Sequence, residues 1–336
     1  MLRLQKTAPI GDHMEKLKFA FYWAASCGGC EIAVLDINEK ILDVVALADI
    51  VFWPVAMDIK YKDVEAMPDN SIDVCFFNGS IRTEEQGLMA KLLREKSKVL
   101  VAFGSCAHQG GIPGLANVAN KKEVFERAYL QSPSTRNPSG VTPKTSVQVK
   151  EGTLTLPEFY DTVKTLDQTV DVDYYLPGCP PPAKQVAKAV EAIAKNELPP
   201  KGSVIGPLKS VCDECPRKKE QKKISRIYRV YEITPEPEKC LLEQGIICMG
   251  PATRGGCEAQ CINANMPCTG CGGPCPNEIE QGAAMMSALS SLLGVEEEKE
   301  KTYNPETLIA QIKDPIGTFY RYSLPASLLR RRVMKE

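Results

Sequence analysis

Through the first two hundred positions, apolar residues fall in short continuous runs. The runs at 17–24, 49–55, 73–79, 98–103 and 172–176 are rich in Val, Ile, Leu, Phe and Tyr and have the length of buried strands. Between them, at 31–48, 84–95 and 182–196, apolar positions recur with helical spacing. Strands that are apolar throughout, alternating with amphipathic helices, predict a doubly wound parallel sheet covered on both faces. The stretch 131–152 is rich in Pro, Ser and Thr and reads as a long loop inside that unit. After Pro199-Pro200 the pattern fades: periodicity is scarce from 205 to 276, and 278–293 carries one further helical signal. The tail from 304 to 336 holds Ile316, Phe319, Tyr320, Tyr322 and Leu324 with little order, which suits packing on a partner. No solenoid-type repeat is present.

The weakly patterned region cannot bury enough apolar surface by itself. It is also where cysteines crowd, so metal ligation is expected to supply part of its folding free energy. A chain of 336 residues has room for about two domains. The expected division is an N-terminal extension at 1–14, an α/β domain at 15–204 and a cysteine-rich domain with a C-terminal tail at 205–336. The net charge of −1 and the lack of a long basic run give no electrostatic case for nucleic acid. No stretch approaches the ~18–20 apolar residues of a membrane span. Positions 1–14 show neither an apolar h-region nor a twin arginine, so no export signal is read there and a cytoplasmic location is expected. In a reducing cytoplasm the 14 cysteines stay free for metals. With only His13 and His108 available, thiolates must carry that chemistry.

In open parallel sheets, ligands gather beyond the carboxyl ends of the strands. Cys27 and Cys30 follow the first run in Ser26-Cys27-Gly-Gly-Cys30-Glu31, Cys106 follows the fourth in Gly104-Ser-Cys106-Ala-His108, and Cys179 follows the fifth in Pro177-Gly-Cys179-Pro-Pro. These four are expected on one sheet edge, and four thiolates are the ligand set of a 4Fe–4S cluster. Glycines between Cys27 and Cys30 let both thiols face one point and leave room for a bulky group. Cys75 lies inside the third run and reads as a small buried apolar residue. Glu31 is either a carboxylate placed at a helix start or a proton relay. His108 reads as a hydrogen-bonding neighbour of the cluster. Gly110-Gly111-Ile-Pro-Gly114 lacks the Lys-Ser/Thr of a phosphate loop.

Two further sets follow. Cys212-x2-Cys215-x24-Cys240-x7-Cys248 offers four thiolates, and Cys257-x3-Cys261-x6-Cys268-x2-Cys271-x3-Cys275-Pro offers five. Cys-x2-Cys spacing also suits structural zinc. The Gly and Pro beside most of these cysteines favour bulkier cubanes, and the ferredoxin-like ending makes Cys275 a competitor of Cys261.

These motifs resemble nickel–iron hydrogenase small subunits. Trp23-Ala-Ala-Ser-Cys-Gly-Gly-Cys-Glu31, Gly104-Ser-Cys106 with Gly110-Gly-Ile-Pro-Gly114, and Pro177-Gly-Cys-Pro-Pro181 look like the proximal-cluster motifs of that family. The resemblance implies a flavodoxin-like first domain and a largely irregular second one. It also implies a proximal cluster on Cys27, Cys30, Cys106 and Cys179, a distal one on Cys212, Cys215, Cys240 and Cys248, and a medial one on Cys257, Cys261, Cys268 and Cys271. All three would be 4Fe–4S: Cys212 stands where membrane-linked members usually have histidine, and Cys261 where they often have proline. Both departures resemble the cytoplasmic branch. Met249-Gly-Pro-Ala-Thr-Arg-Gly-Gly256 and Asp314-Pro-Ile-Gly-Thr-Phe-Tyr-Arg-Tyr-Ser-Leu-Pro-Ala326 are most similar to the methyl-viologen-reducing, deazaflavin-non-reducing subfamily. The implied role is electron transfer from H2 oxidation on a nickel–iron large subunit, with no catalytic residue in this chain. The implied acceptor is a small 2Fe–2S subunit leading to heterodisulfide reductase. The alternatives are a complex I-like cluster-binding subunit, a zinc-binding interaction protein, and a subunit serving a partner that is not an active hydrogenase.

Overall fold

The apolar runs of the first half become strands because the sheet they form is covered on both sides. The computed structural model describes residues 16–220, 223–293 and 305–332; the expected extension at 1–14 lies outside them. Strands β1 (Leu17–Trp23), β2 (Ala48–Phe52), β3 (Ile72–Asn78), β4 (Ser97–Phe103), β5 (Tyr174–Leu176) and β6 (Ser203–Val204) make one six-stranded sheet. Their spatial order is β6-β5-β4-β3-β1-β2, and every pair is parallel. This is the flavodoxin-like order with one strand added at the edge. Alternate residues feed two separate cores. Phe19, Phe21, Val74, Phe76, Val101 and Phe103 pack on one face, and Ala20, Tyr22, Cys75, Phe77, Leu100 and Ala102 on the other. Cys75 is fully buried there.

Helices connect the strands. Among them are α1 (Gly29–Leu35), α2 (Ile41–Leu47), α3 (Glu84–Lys96), α4 (Ser105–Gln109), α5 (Ala183–Ala194) and, in the second half, α6 (Gln281–Ser290). Thr83 caps α3 in a capping box with Gln86. The single helix expected at 31–48 is broken into α1, a 3-10 turn at Asn38–Lys40, and α2. Asn38 adopts φ +56, and a left-handed residue cannot continue a right-handed helix. The second strand stops at Phe52, two residues before Pro54, which brings no N–H to a ladder.

The expected loop at 131–152 instead contains most of an antiparallel hairpin, Ser146–Val149 with Gly152–Thr155. A further antiparallel pair joins Ile81–Thr83 to Phe159–Lys164. Apolar patterning foresees neither, because runs of three to six half-exposed residues carry too short an alternation to stand out.

Asp173 fastens the far end of the sheet. Its carboxylate accepts from Arg94 Nη1 at 2.6 Å, Lys201 Nζ at 2.6 Å and the Leu100 N–H at 2.8 Å.

A third apolar core is drawn wholly from residues 211 to 324, including Val211, Leu241, Ile246, Met285, Leu289, Phe319 and Leu324. The C-terminal tail therefore packs on its own chain, not on a partner alone. Around Leu324 it also returns to the first half. Gly111 donates its N–H to Tyr322 O at 2.9 Å, and Gln168 Nε2 donates to Pro325 O at 2.7 Å. Pro325 rests on Gly110 and Gly114, where an added Cβ would come within 2.2 and 2.4 Å of its ring. Apolar periodicity could not foresee this, because the fit depends on missing side chains on the opposite surface.

Candidate metal centres

β1, β4 and β5 all end at the same sheet edge, and their following turns carry Cys27, Cys30, Cys106 and Cys179. Cys30 sits in α1, Cys106 in α4, and Cys179 in the turn leading to α5. The turns are stitched to one another: the Gly104 N–H donates to Leu176 O and the Ser105 N–H to Gly178 O, both at 2.8 Å. Space beside the sulfurs comes from glycine. A Cβ on Gly104 would lie 2.4 Å from Cys30 Sγ, and one on Gly111 would lie 2.4 Å from Cys106 Sγ. Cys30 and Cys106 are buried, whereas Cys27 and Cys179 are exposed. Burial, and next the neighbouring Cys106 thiol, push the Cys30 thiol far up; burial and then Cys179 and Cys27 push Cys106 up to about 12. Buried thiols gathered in this way are poised for a cationic metal group, which would offset the negative charge that burial disfavours.

Glu31 is buried directly after Cys30. Burial raises its carboxyl, the hydrogen bond that Asn78 Nδ2 donates to Oε1 at 2.6 Å opposes this, and Oε2 has no hydrogen-bond partner among the described residues. The His108 ring packs on Tyr175 with centroids 4.7 Å apart, and its Nδ1 has no hydrogen-bond partner among the described residues. Burial lowers its pKa to about 4, so it is neutral at physiological pH.

In the second half, Cys212, Cys215, Cys240 and Cys248 line one cavity together with Arg217, Lys219 and Ile262. Gly250 lies beside this set, where a Cβ would come 3.1 Å from Cys212 Sγ. Arg217, which cysteine spacing does not reveal, is buried; its Nη1 donates to Glu236 O at 2.8 Å and Lys239 O at 2.9 Å, and its Nη2 to Ile262 O at 3.4 Å. It thereby holds the loop that carries Cys240. Burial raises Cys212 to about 12, with Lys219 opposing and the other three thiols adding.

A larger cavity of about 320 Å³ is lined by Cys257, Cys261, Cys268 and Cys271, and also by Cys179, Gln185, Arg254 and Gln260. Cys275 is not among its lining residues. Its thiol donates instead to Pro251 O at 3.3 Å. Burial raises Cys271 to about 12, while a backbone hydrogen bond from Cys179 opposes.

The three sets adjoin one another. Cys179 of the sheet-edge set lines the same cavity as Cys271, and the Cys268 N–H donates to Cys248 Sγ at 3.3 Å. Ser105 Oγ also donates to Cys271 O at 2.6 Å. The order in space is therefore sheet edge, middle cavity, outer cavity. Among the described residues no three His, Cys, Asp or Glu side chains converge closely enough for a single metal ion. In the second half the thiols line two cavities, and an all-thiol donor set of this kind fits iron–sulfur groups.

A family model described as "NADH ubiquinone oxidoreductase, 20 Kd subunit" matches residues 27–193. That stretch includes Cys27, Cys30, Cys106 and Cys179 and stops before Cys212. The chain is 44% identical over 325 residues to an F420-non-reducing hydrogenase iron-sulfur subunit of Archaeoglobus profundus, covering 95% of this chain and 99% of that one. It is 40% identical over 325 residues to an F420-non-reducing hydrogenase subunit of Methanothermobacter marburgensis, covering 96% and 99%. A solved [NiFeSe]-hydrogenase from Dm. baculatum matches with a TM-score of 0.48 at 18% identity, covering 79% of this chain and 97% of that one.

Proposed function

The chain belongs to the family of F420-non-reducing hydrogenase iron–sulfur subunits, the electron-transferring small subunits of hydrogenases, and on that premise we propose that it holds three 4Fe–4S clusters in series. Cys27, Cys30, Cys106 and Cys179 hold the proximal one, Cys257, Cys261, Cys268 and Cys271 the medial one, and Cys212, Cys215, Cys240 and Cys248 the distal one. Bound there, such clusters accept and release single electrons. The observation that carries this reading is the adjacency of the sets: Cys179 lines the same cavity as Cys271, and the Cys268 N–H donates to Cys248 Sγ. Three thiol sets joined end to end support a route through the chain, where one isolated set would support only a structural role. This reading divides the chain into a sheet domain at 15–204 and a cluster domain at 205–336.

The protein's own groups shape the route. Gly104 and Gly111 keep Cβ atoms away from the proximal thiols, and Arg217 fixes the distal loop. Lys219 and Arg254 bring positive charge to the distal and medial cavities, which favours thiolates there. Around the proximal set, Cys27 and Cys179 are exposed beside Trp23, Ile32 and Leu35, themselves 40%, 56% and 53% exposed. An apolar rim of this kind is suited to burial against a hydrogenase large subunit that carries the nickel–iron site. The opposite end of the series, near Cys212, is where an acceptor would dock: a small 2Fe–2S subunit leading to heterodisulfide reductase, in the cytoplasm. Among the described residues no helix is long and apolar enough to cross a membrane.

Iron and acid-labile sulfide analysis of the anaerobically purified complex tests the reading. It should give about twelve irons in this chain. About two zinc ions in the second half would overturn it. A subunit with one cluster, as the family match over 27–193 would allow, would give about four irons.

A further inference from the structure

We propose that Gln185, on the first turn of α5, donates a hydrogen bond from its side-chain carboxamide to the medial cluster and thereby raises that cluster's reduction potential. The inference rests on the three-cluster reading and deepens it. Gln185 belongs to the sheet domain, yet it lines the cavity formed by Cys257, Cys261, Cys268 and Cys271. It is 9% exposed, and its Oε1 is buried without a hydrogen-bond partner among the described residues. An unpaired buried carboxamide oxygen is costly, and no partner among the described residues fixes which end of the amide faces the cavity. Thiolates and bridging sulfides accept hydrogen bonds and do not donate them. They therefore select the NH2 end of the carboxamide, whose two ends are nearly equal in shape.

Two neighbouring features hold Gln185 in place. Its amide packs on the α-carbon of Gly256, beside Cys257. A Cβ there would lie 1.8 Å from Nε2, and Gly256 has φ +111, so a side chain is excluded twice over. Meanwhile the start of α5 faces the same cavity through Pro181, Pro182 and Ala183, and no side chain among the described residues caps it. The Gln185 N–H is taken by Pro182 O at 2.8 Å, and the positive end of a helix of twelve residues lies beside the site. Donors near an iron–sulfur group stabilise its reduced, more negative state.

The test uses the assembled hydrogenase complex. In Gln185→Met, a similar shape without donors, redox titration followed by EPR should show one cluster shifted negative while the other two stay in place. A tenfold change in the reduction equilibrium would appear as about 59 mV. Iron content should equal that of the wild type. Three loaded clusters with no shifted potential would overturn the role of Gln185 and leave the three-cluster reading standing; fewer irons in the wild type would instead sink the cluster reading itself. A second measurement covers failure of the variant to assemble. Gln260 is the other glutamine lining the cavity, so the Gln260→Met complex is labelled with 15N at glutamine side-chain nitrogens and the reduced medial cluster is examined by pulsed EPR. A 15N coupling is expected, and its absence overturns the proposal.

Discussion

Arg217 is buried, and its guanidinium ties together carbonyls of residues 236, 239 and 262 around the distal thiols. Arg217→Met should strand these acceptors, at about 1–3 kcal/mol each. The expected outcome is a lower melting temperature and the loss of about four irons per chain, read by metal analysis. At the medial cavity the choice between Cys261 and Cys275 is also a single-residue question. Cys261 lines the cavity, while Cys275 donates to Pro251 O. Cys261→Pro should convert the medial cluster to a three-iron form with a raised potential, visible by EPR, and Cys275→Ser should leave the spectrum unchanged. The reverse pattern would reassign the ligand. The cysteines themselves were legible because a metal-binding thiol needs characteristic neighbours in sequence. Arg217 and Gln185 were not, because their partners lie far along the chain and nothing local marks them.

At the scale of elements, the strand–turn–helix units position the proximal thiols, and their precision depends on backbone clearance. Gly104→Ala would put a Cβ 2.4 Å from Cys30 Sγ at a residue with φ +85. It should leave the sheet folded, by circular dichroism, while removing the proximal cluster's iron. Asp173 is the other elemental joint, linking the end of α3, β4 and Lys201. Burial alone would raise its carboxyl, but hydrogen bonds from Lys201, Arg94 and the Leu100 N–H outweigh it and hold the carboxyl below the usual carboxylate range. A folded-state pKa lowered in this way stabilises the fold above the unfolded value and loses that effect as pH falls through the folded one. Asp173→Ala should therefore cost about 3 kcal/mol near neutrality. Denaturant titrations should show the gap to wild type shrinking below about pH 4.

Across the whole molecule, the second half depends on what its cysteines bind. Its core is contiguous but is interleaved with Cys248 and Cys268, and with Cys215, Cys240 and Cys257 packed against it. Chelating the iron should release this half first, seen as fast hydrogen exchange over 205–293 while β1, β3 and β4 stay protected. Exposure argues for a matching order at the partner face. Expressed without a large subunit, the chain should lose the proximal cluster first, since Cys27 and Cys179 are exposed. Co-expression should protect it. A stable monomer retaining all three clusters would show that the sheet edge is not the docking face.

The sequence by itself determined the class of fold and the points where chemistry gathers. Continuous apolar strands between amphipathic helices leave a parallel sheet as the stable layering, and cysteines just beyond strand ends must then fall on one edge. Those are local signals with a fixed period, readable without knowing what lies opposite. Tertiary structure alone decided which second-half thiols share a cavity, that Cys179 joins Cys271 in lining one and the Cys268 N–H meets Cys248, that Asn38 breaks the first helical stretch, and that Pro325 closes onto Gly110 and Gly114. These outcomes depend on contacts between residues tens to hundreds of positions apart, where shape and vacancy on one surface select the group on another, and no period along the chain records that choice.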